Sequence, residues 1–345
     1  MAEKEKVVKA KILNLDDFKK AMKKDFGKDS IVDATEKESY TDVIPLTSFS
    51  LNNAVGIGGF AKRKITVIDG ESSGGKSTTA YDAIGQCQKK FGDTCLLIDK
   101  EDGFSKKYTG QLGVDVDKLL IANPRSLEDM YDVLLMAIES DLFGCIVVDS
   151  VTSFAPDSRF EGSVVLGVES RVNSDKMRLI ADMMPRHNTS LILIQQIRSK
   201  IGAIGDPTTV SGGSAIPFYA HVRIRITRSK IDRELRQNII KFTVIKNKMD
   251  EPYRVGTVVY KWGVGFDFFS EVAELAIEFG IIRNEKTSYF PPEVEDLKII
   301  GKKKMIAYLT ENPEYTKAVI QPLVLKYMEE NGDLRSDEID EDDLN

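Results

Sequence analysis

Histidine, tryptophan and cysteine are scarce in this chain of 345 residues, numbering two, one and three. Three cysteines cannot frame a disulfide scaffold. Cys87, Cys95 and Cys145 are scattered over helix-like and strand-like runs, which suits buried free thiols. His187 and His221 stand far apart without ligand spacing, so a histidine metal centre is excluded and turn or surface positions are expected. Long apolar runs are missing as well: nothing approaches the roughly 20 residues of a membrane span, and no membrane partner is expected. The opening Met1-Ala2-Glu3-Lys4-Glu5-Lys6 has no apolar stretch behind it, so no secretory signal is read and a cytoplasmic address is expected. No internal repeat is seen. A basic excess is also absent, the formal net charge being −6, but its placement matters more than its sign. Asp333, Asp337, Glu338, Asp340, Glu341, Asp342 and Asp343 against Arg335 account for all of it, in a tail expected to be disordered. The rest is neutral overall and can carry local basic patches, at Arg198 with Lys200, from Arg223 to Arg236, and at Lys302-Lys303-Lys304.

What the chain does have is Gly70-Glu71-Ser72-Ser73-Gly74-Gly75-Lys76-Ser77, followed by Thr78. This is a G-x-x-x-x-G-K-[ST] phosphate loop, with a strand-like stretch at 64–69 before it and a helical one at 78–91 after it. Backbone N–H groups close around phosphate oxygens, the helix presents its positive end, Lys76 reaches the terminal phosphates, and the Ser77 hydroxyl ligates magnesium. ATP and Mg2+ are therefore the expected ligands.

Residues 12–26 place Ile12, Leu15, Phe18, Met22 and Phe26 at helical spacing, an amphipathic helix that must dock on the main domain or on a neighbouring chain. From 39 to 268 apolar runs at 65–68, 94–98, 145–148, 191–194, 222–226 and 242–245 alternate first with helical segments and later with turns. Such alternation indicates an α/β sheet, parallel in its centre. After Phe268 the pattern turns helical, at 270–279, 303–309 and 317–330, with a strand-like interlude near Tyr289. The division expected is an amino-terminal segment 1–38, a core 39–268, a small α+β domain 269–332 and the acidic tail 333–345.

Ligands of open α/β sheets sit beyond the carboxyl ends of strands, so polar residues that close apolar strands matter most. Ile146-Val147-Val148-Asp149-Ser150 has the form of a Walker B strand, with Asp149 holding magnesium through water. Leu96-Leu97-Ile98-Asp99 runs into Lys100-Glu101-Asp102, where Glu101 is either the carboxylate that polarises the attacking water or part of a solvated acidic turn. Leu191-Ile192-Leu193-Ile194 ends in Gln195-Gln196, and the Gln196 amide can sense the γ-phosphate. The stretch from Arg198 to Gly213 follows, basic at its start and rich in small residues, with Ile201 and Ile204 free to wedge between bases. It suits single-stranded DNA or an ordinary surface loop.

Taken together, the chain resembles the bacterial RecA-type recombinases, as a divergent member such as a bacteriophage encodes. The likeness runs from Phe26-Gly27-Lys28-Asp29-Ser30-Ile31 to about residue 330. It takes in the phosphate loop, Ile98-Asp99-Lys100-Glu101, Leu112-Gly113-Val114-Asp115, Val147-Val148-Asp149-Ser150, Gln196-Ile197-Arg198-Ser199-Lys200-Ile201-Gly202, Gly212-Gly213, Phe218-Tyr219-Ala220, Val222-Arg223 and Lys246-Asn247-Lys248. The resemblance implies a RecA-like P-loop ATPase core that forms helical filaments on single-stranded DNA and catalyses homologous pairing and strand exchange. It implies Glu101 as catalytic carboxylate, Tyr108 as the aromatic that stacks on adenine, and Gln196 as γ-phosphate sensor. Lys246 and Lys248 are implied to reach a neighbouring subunit's ATP. Two DNA-binding loops are implied, one through Glu161, Gly162, Ser163, Val164, Val165, Leu166 and Gly167 up to Glu169, the other from Arg198, Ser199, Lys200, Ile201 and Gly202 to Gly212 and Gly213. The amino-terminal helix docks on the adjacent subunit, the carboxyl-terminal domain gathers duplex DNA, and single-strand-binding and loader proteins are further partners on this reading. Departures from the family are Ser105 where an aspartate meets the adenine amino group, Pro217 in place of an interface lysine, Gly74 in place of a second serine, and an apolar Ser163-Val164-Val165-Leu166-Gly167. The alternatives are a ring-forming helicase on the same core fold and a non-motor ATP-binding regulator.

Overall fold

The computed structural model describes residues 14–27, 30–34, 42–160, 162, 167–199, 208–210, 213–233, 236–294 and 297–331. Residues up to Thr41 and those from Asp42 onward form two units. In the first, helix α1 (Leu15–Phe26) begins at Asn14, whose side chain accepts from the Asp17 N–H, with Asp16 and Asp17 in its first turn and Lys23 and Lys24 in its last. That charge order opposes the helix dipole at both ends and stabilises a helix that buries no residue. Lys19 pairs with Asp33 at 2.6 Å. Leu15, Phe18 and Phe26 are exposed, and the expected Ile12 lies outside the described residues.

The second unit opens with β1 (Val43–Ile44), α2 (Phe49–Val55) and β2 (Phe60–Ala61), the strands pairing antiparallel. A ten-stranded sheet follows, made of β3 (Ile65–Gly70), β4 (Thr94–Asp99), β5 (Leu119–Ala122), β6 (Phe143–Asp149), β7 (Ser190–Ser199), β8 (Thr208–Val210), β9 (Val222–Asp232), β10 (Gln237–Asn247), β11 (Val255–Lys261) and β12 (Gly265–Phe266). Its order is β12-β11-β10-β9-β3-β7-β6-β4-β5, with β8 on β7. The six strands from β9 to β5 are parallel, and the β10 to β12 end is antiparallel. This is the mostly parallel α/β core that the sequence implies.

Strand periodicity divides the core. Val67, Leu96, Ile98, Ile146, Val148, Leu191 and Leu193 face one layer with Leu127, Met130 and Leu134 of α5 (Leu127–Glu139) and Met177 and Ile180 of α7 (Val168–Met183). Ile68, Leu97, Val147, Ile192 and Ile194 face the other, with Ala80, Ala83 and Ile84 of α3 (Lys76–Phe91). Between them in sequence are α4 (Lys106–Gln111) and α6 (Asp157–Phe160); α8 (Ala215–Tyr219) follows β8. Cys87, Cys95 and Cys145 are free and buried, and Cys95 and Cys145 lie side by side on β4 and β6.

Beyond residue 267 come α9 (Phe268–Glu278), a sheet of β13 (Arg283–Glu285), β14 (Ser288–Phe290) and β15 (Ile299–Ile300), then α10 (Lys302–Glu311), α11 (Pro313–Tyr315) and α12 (Gln321–Asn331). The helix expected over 317–330 widens into a π turn at Thr316–Ile320, just before Pro322, which has no N–H to continue the ladder. These elements have a core of their own that also takes in Phe49. Glu271 of α9 is buried and accepts from the Ser48 hydroxyl at 3.0 Å and from the N–H groups of Phe49 and Ser50 at 2.9 and 3.0 Å, so it caps α2.

Candidate nucleotide-binding site

The phosphate loop leaves β3 at Gly70 and enters α3 at Lys76. Gly75 caps that helix at φ +105°, a left-handed conformation that favours glycine, and a Cβ there would lie 2.7 Å from Ile240 Cδ1. Lys76 is 6% exposed and curls back to donate to the Glu71 carbonyl at 2.6 Å. Burial pulls its pKa down, against the opposing pull of Asp149 and Glu101. A desolvated ammonium at a helix N-terminus, inside a loop of backbone N–H groups, is built to meet an anion.

A cavity of about 160 Å³ gathers Ser72, Ser73, Gly74, Gly75, Lys76, Ser77 and Thr78 with Glu101, Asp149 and Gln196. Glu101 just past the end of β4, Asp149 at the end of β6 and Gln196, which lies within β7 because that strand runs on to Ser199, therefore meet the phosphate loop in space. Asp99 sets the turn after β4 by accepting from the Glu101 and Phe104 N–H groups at 3.0 and 3.1 Å. Asp149 is hydrogen-bonded by Ser77, and burial raises its pKa to about 6, opposed by that bond and by Lys76. Two oxygen donors, Ser77 and Asp149, fit a magnesium ion that keeps substrate phosphates and water as its other ligands. Glu101 Oε1 accepts from the Gln196 amide at 2.5 Å and from the Ser150 hydroxyl at 2.8 Å. The Asp149–Ser150 peptide bond is cis.

Tyr108 stands at the rim, its hydroxyl 2.7 Å from those of both Thr78 and Tyr260. Ser105 is the N-cap of α4, its oxygen accepting from the Tyr108 N–H at 3.4 Å. Asn238, Ile240 and Tyr260 also line the cavity, and sequence reading missed them. Asn238 and Ile240 alternate on β10, with Tyr260 opposite Asn238 on β11. Period-two alternation was the available signal, but it does not say which strand ends near the phosphate loop.

Other expected residues lie elsewhere. Lys246 and Lys248 are not among the residues lining this cavity. Lys246 donates to the Pro217 and Phe218 carbonyls at 2.9 and 2.6 Å, and Lys248 is exposed. Gly162 and Gly167 adopt positive φ, and Gly167 caps α7, whereas Glu161, Ser163, Val164, Val165 and Leu166 lie outside the described residues. The stretch read as a loop from Arg198 has strand stems: Arg198 and Ser199 end β7 and pair with Thr209 and Thr208 of β8. Lys200, Ile201, Gly202 and Gly212 lie outside the described residues, as does the acidic tail, and Gly213 has φ +85°. The basic patch expected from Arg223 needs correction. Arg223 and Arg225 flank the fully buried Asp69, at 2.5 and 3.1 Å, because a buried carboxylate at the end of β3 needs compensating charge.

Residues 13–267 match the RecA N-terminal domain family. The chain is 34% identical to Protein RecA of Mycoplasmopsis pulmonis over 313 residues, covering 88% of this chain and 91% of that one. Against Protein RecA of Deinococcus radiodurans it is 33% identical over 308 residues, 86% and 84% of the two chains. Against that of Thermus aquaticus it is 33% identical over 315 residues, 89% and 92%.

Proposed function

The chain belongs to the RecA family of DNA recombination and repair ATPases, and from that premise we propose that it hydrolyses ATP with Mg2+ in the cavity around Lys76 while polymerised on single-stranded DNA, and so drives homologous pairing and strand exchange. One observation carries the reading. Lys76, Ser77 with Asp149, Glu101 and Gln196 come from separate parts of the chain and line a single cavity beyond the ends of parallel strands.

Lys76 leaves the Glu71 carbonyl for the β and γ phosphates, and the loop N–H groups hold their oxygens. Ser77 and, through water, Asp149 would hold the magnesium ion, whose charge would offset that of the phosphates. Glu101 orients and deprotonates the attacking water, and Gln196 donates its amide to the γ-phosphate in place of Glu101, carrying nucleotide state into the strand that leads to Arg198. Tyr108 meets the base. Lys246 and Lys248, which do not line their own cavity, serve a neighbour's ATP, and the exposed apolar face of α1 docks on an adjacent subunit.

The division 1–38, 39–268, 269–332 and 333–345 goes with these roles: docking segment, ATPase core with DNA loops at 161–169 and 198–213, duplex-gathering domain through Lys302 to Lys304, and tail. Single-strand-binding and loader proteins are the further partners. Among the described residues no helix is long and apolar enough to cross a membrane, and we assign a cytoplasmic location. The test is ATP hydrolysis by the full chain with and without a single-stranded oligonucleotide. Stimulation of at least about tenfold, lost in Lys76→Ala, is expected. A rate indifferent to DNA sinks the reading.

A further inference from the structure

The reading of Glu101 as the residue that activates water leaves open what aims it. Its side chain is exposed, and among the described residues no donor reaches its Oε2. Everything that holds it acts on Oε1. Beyond Gln196, the holding groups are Ser150, which precedes the short turn Val151–Ser153 after β6, and Ser153 within that turn. That turn is a firm platform. Val151 and Phe154, on either side of the two hydroxyls, are 2% and 3% exposed, and the Ser153 N–H donates to the Ser150 carbonyl at 3.0 Å.

Proton counting decides how the hydroxyls are used. Ser150 Oγ lies 2.8 Å from Glu101 Oε1 and 2.7 Å from Ser153 Oγ, while Ser153 Oγ lies 3.1 Å from the same carboxylate oxygen. Each hydroxyl has one proton to give. Using the two shortest contacts, Ser153 donates to Ser150 and Ser150 donates to Glu101. Such a chain polarises along its length, so the outer hydroxyl strengthens the inner bond. Thr152 completes the set, since its Oγ1 accepts from the Gln196 backbone N–H at 3.2 Å and lies 3.2 Å from Ser150 Oγ.

We propose that Thr152 and Ser153 are positioning residues for ATP hydrolysis: Ser153 through Ser150 fixes the Glu101 carboxylate and Thr152 fixes the Gln196 backbone, so that Oε1 stays tethered by the Ser150 hydroxyl and Oε2 is presented to water when the Gln196 amide turns to the γ-phosphate. The inference rests on the assignment of Glu101. Neither residue lines the nucleotide cavity, so both act on the chemical step and not on ATP binding.

The experiment compares full-length Ser153→Ala, Ser153→Thr, Thr152→Val and Thr152→Ser with the parent and with Glu101→Gln, using ATP and saturating single-stranded oligonucleotide. Ser153→Ala and Thr152→Val are expected to lower kcat about tenfold with KM for ATP within about twofold, since a slack general base costs rate more than binding. The threonine and serine replacements, which keep the hydroxyl, should recover at least about half of the rate. In single-turnover measurements Ser153→Ala should change the residual rate of Glu101→Gln by less than about twofold, because the hydroxyl acts only through that carboxylate. Ser153 is exposed, so its alanine variant should melt with the parent. A normal kcat in Ser153→Ala and Thr152→Val, a loss seen in KM, failure of the conservative variants to recover, or a full further loss in the Glu101→Gln background overturns the proposal. Normal hydrolysis by Glu101→Gln itself instead overturns the assignment on which it rests.

Discussion

Gly70 ends β3 where that strand runs beside β9, and a methyl group there would lie 2.2 Å from the Ile226 carbonyl oxygen. Carbon–oxygen contacts ordinarily begin near about 3.2 Å, so Gly70→Ala must open this seam by roughly 1 Å. Both sides of the contact are backbone, held in parallel register with Gly70 opposite Ile226, and neither can swing away as a side-chain tip would. Overpacking of this kind costs about 1–3 kcal/mol, which in a unit of this size lowers Tm by a few degrees. The larger effect is local. Gly70 is the first residue of the phosphate loop, so the displacement passes directly to the loop N–H groups and to Lys76. A misplacement of about 1 Å at a reacting site costs on the order of 100-fold. Gly70→Ala is therefore expected to remain folded, to melt slightly early, and to lose about two orders of magnitude in DNA-stimulated turnover. The circular-dichroism spectrum, circular-dichroism melting and ATP hydrolysis on the same preparation measure all three. A variant with parental turnover and parental melting refutes the argument that the β3–β9 seam sets the loop.

Replacing Lys246 and Lys248 together by alanine is expected to abolish cooperative ATP hydrolysis on DNA and to leave nucleotide affinity of the isolated subunit within about twofold, because neither lines that subunit's cavity; an equal loss of affinity in the isolated subunit places them in cis. Arg198→Ala should weaken single-strand binding and reduce the slope of log affinity against log salt by about one phosphate contact, and an unchanged slope means that this arginine does not touch phosphate. His221 accepts from the Ile65 N–H through Nδ1 at 3.2 Å, and burial, with Lys64, Lys248 and Lys246 facing it, lowers its pKa to about 4. Folding then favours neutral imidazole, so stability is complete above the unfolded value of about 6.5 and falls as pH drops from there toward 4. After allowance for solvent screening of a half-buried ring, the His221 contribution, read as the difference between the parent and His221→Asn in urea unfolding at pH 7.5 and 4.5, should be a loss of about 1–2 kcal/mol, since buried carboxylates such as Asp149 titrate in the same window with the opposite sign. An Asn variant with the same pH dependence assigns the loss to other groups.

Much of the core was legible because each informative strand carries two signals at once. An apolar run such as Ile146-Val147-Val148 marks a buried strand, and the Asp149 that closes it marks the end at which a ligand sits. The β5 edge was harder to see, since Leu119–Ala122 is short and leaves Leu120 and Ile121 exposed. The π turn beside Pro322 was hidden for a different reason: helical periodicity survives a widened turn, and only the missing N–H tells against an unbroken helix.

The site shows where a sequence stops being informative. Lys76 and Glu101 announce themselves, one by motif and the other by following the end of an apolar strand. Asn238 and Tyr260 reach the same cavity only because β10 and β11 extend the sheet past β9, a fact of strand order that no local pattern encodes. Charge misled for the same reason. Arg223 and Arg225 look in sequence like a surface for phosphate, and Asp69 looks like the unremarked last side chain before a glycine loop. Parallel pairing of β3 with β9 sets Asp69 opposite Arg225, and a carboxylate with no exposed surface must then be neutralised by the cations nearest to it. Those two arginines therefore brace the strand that carries the phosphate loop, so a search for the DNA path should begin at the strand stems around Arg198 and Thr208 and not along the first half of β9.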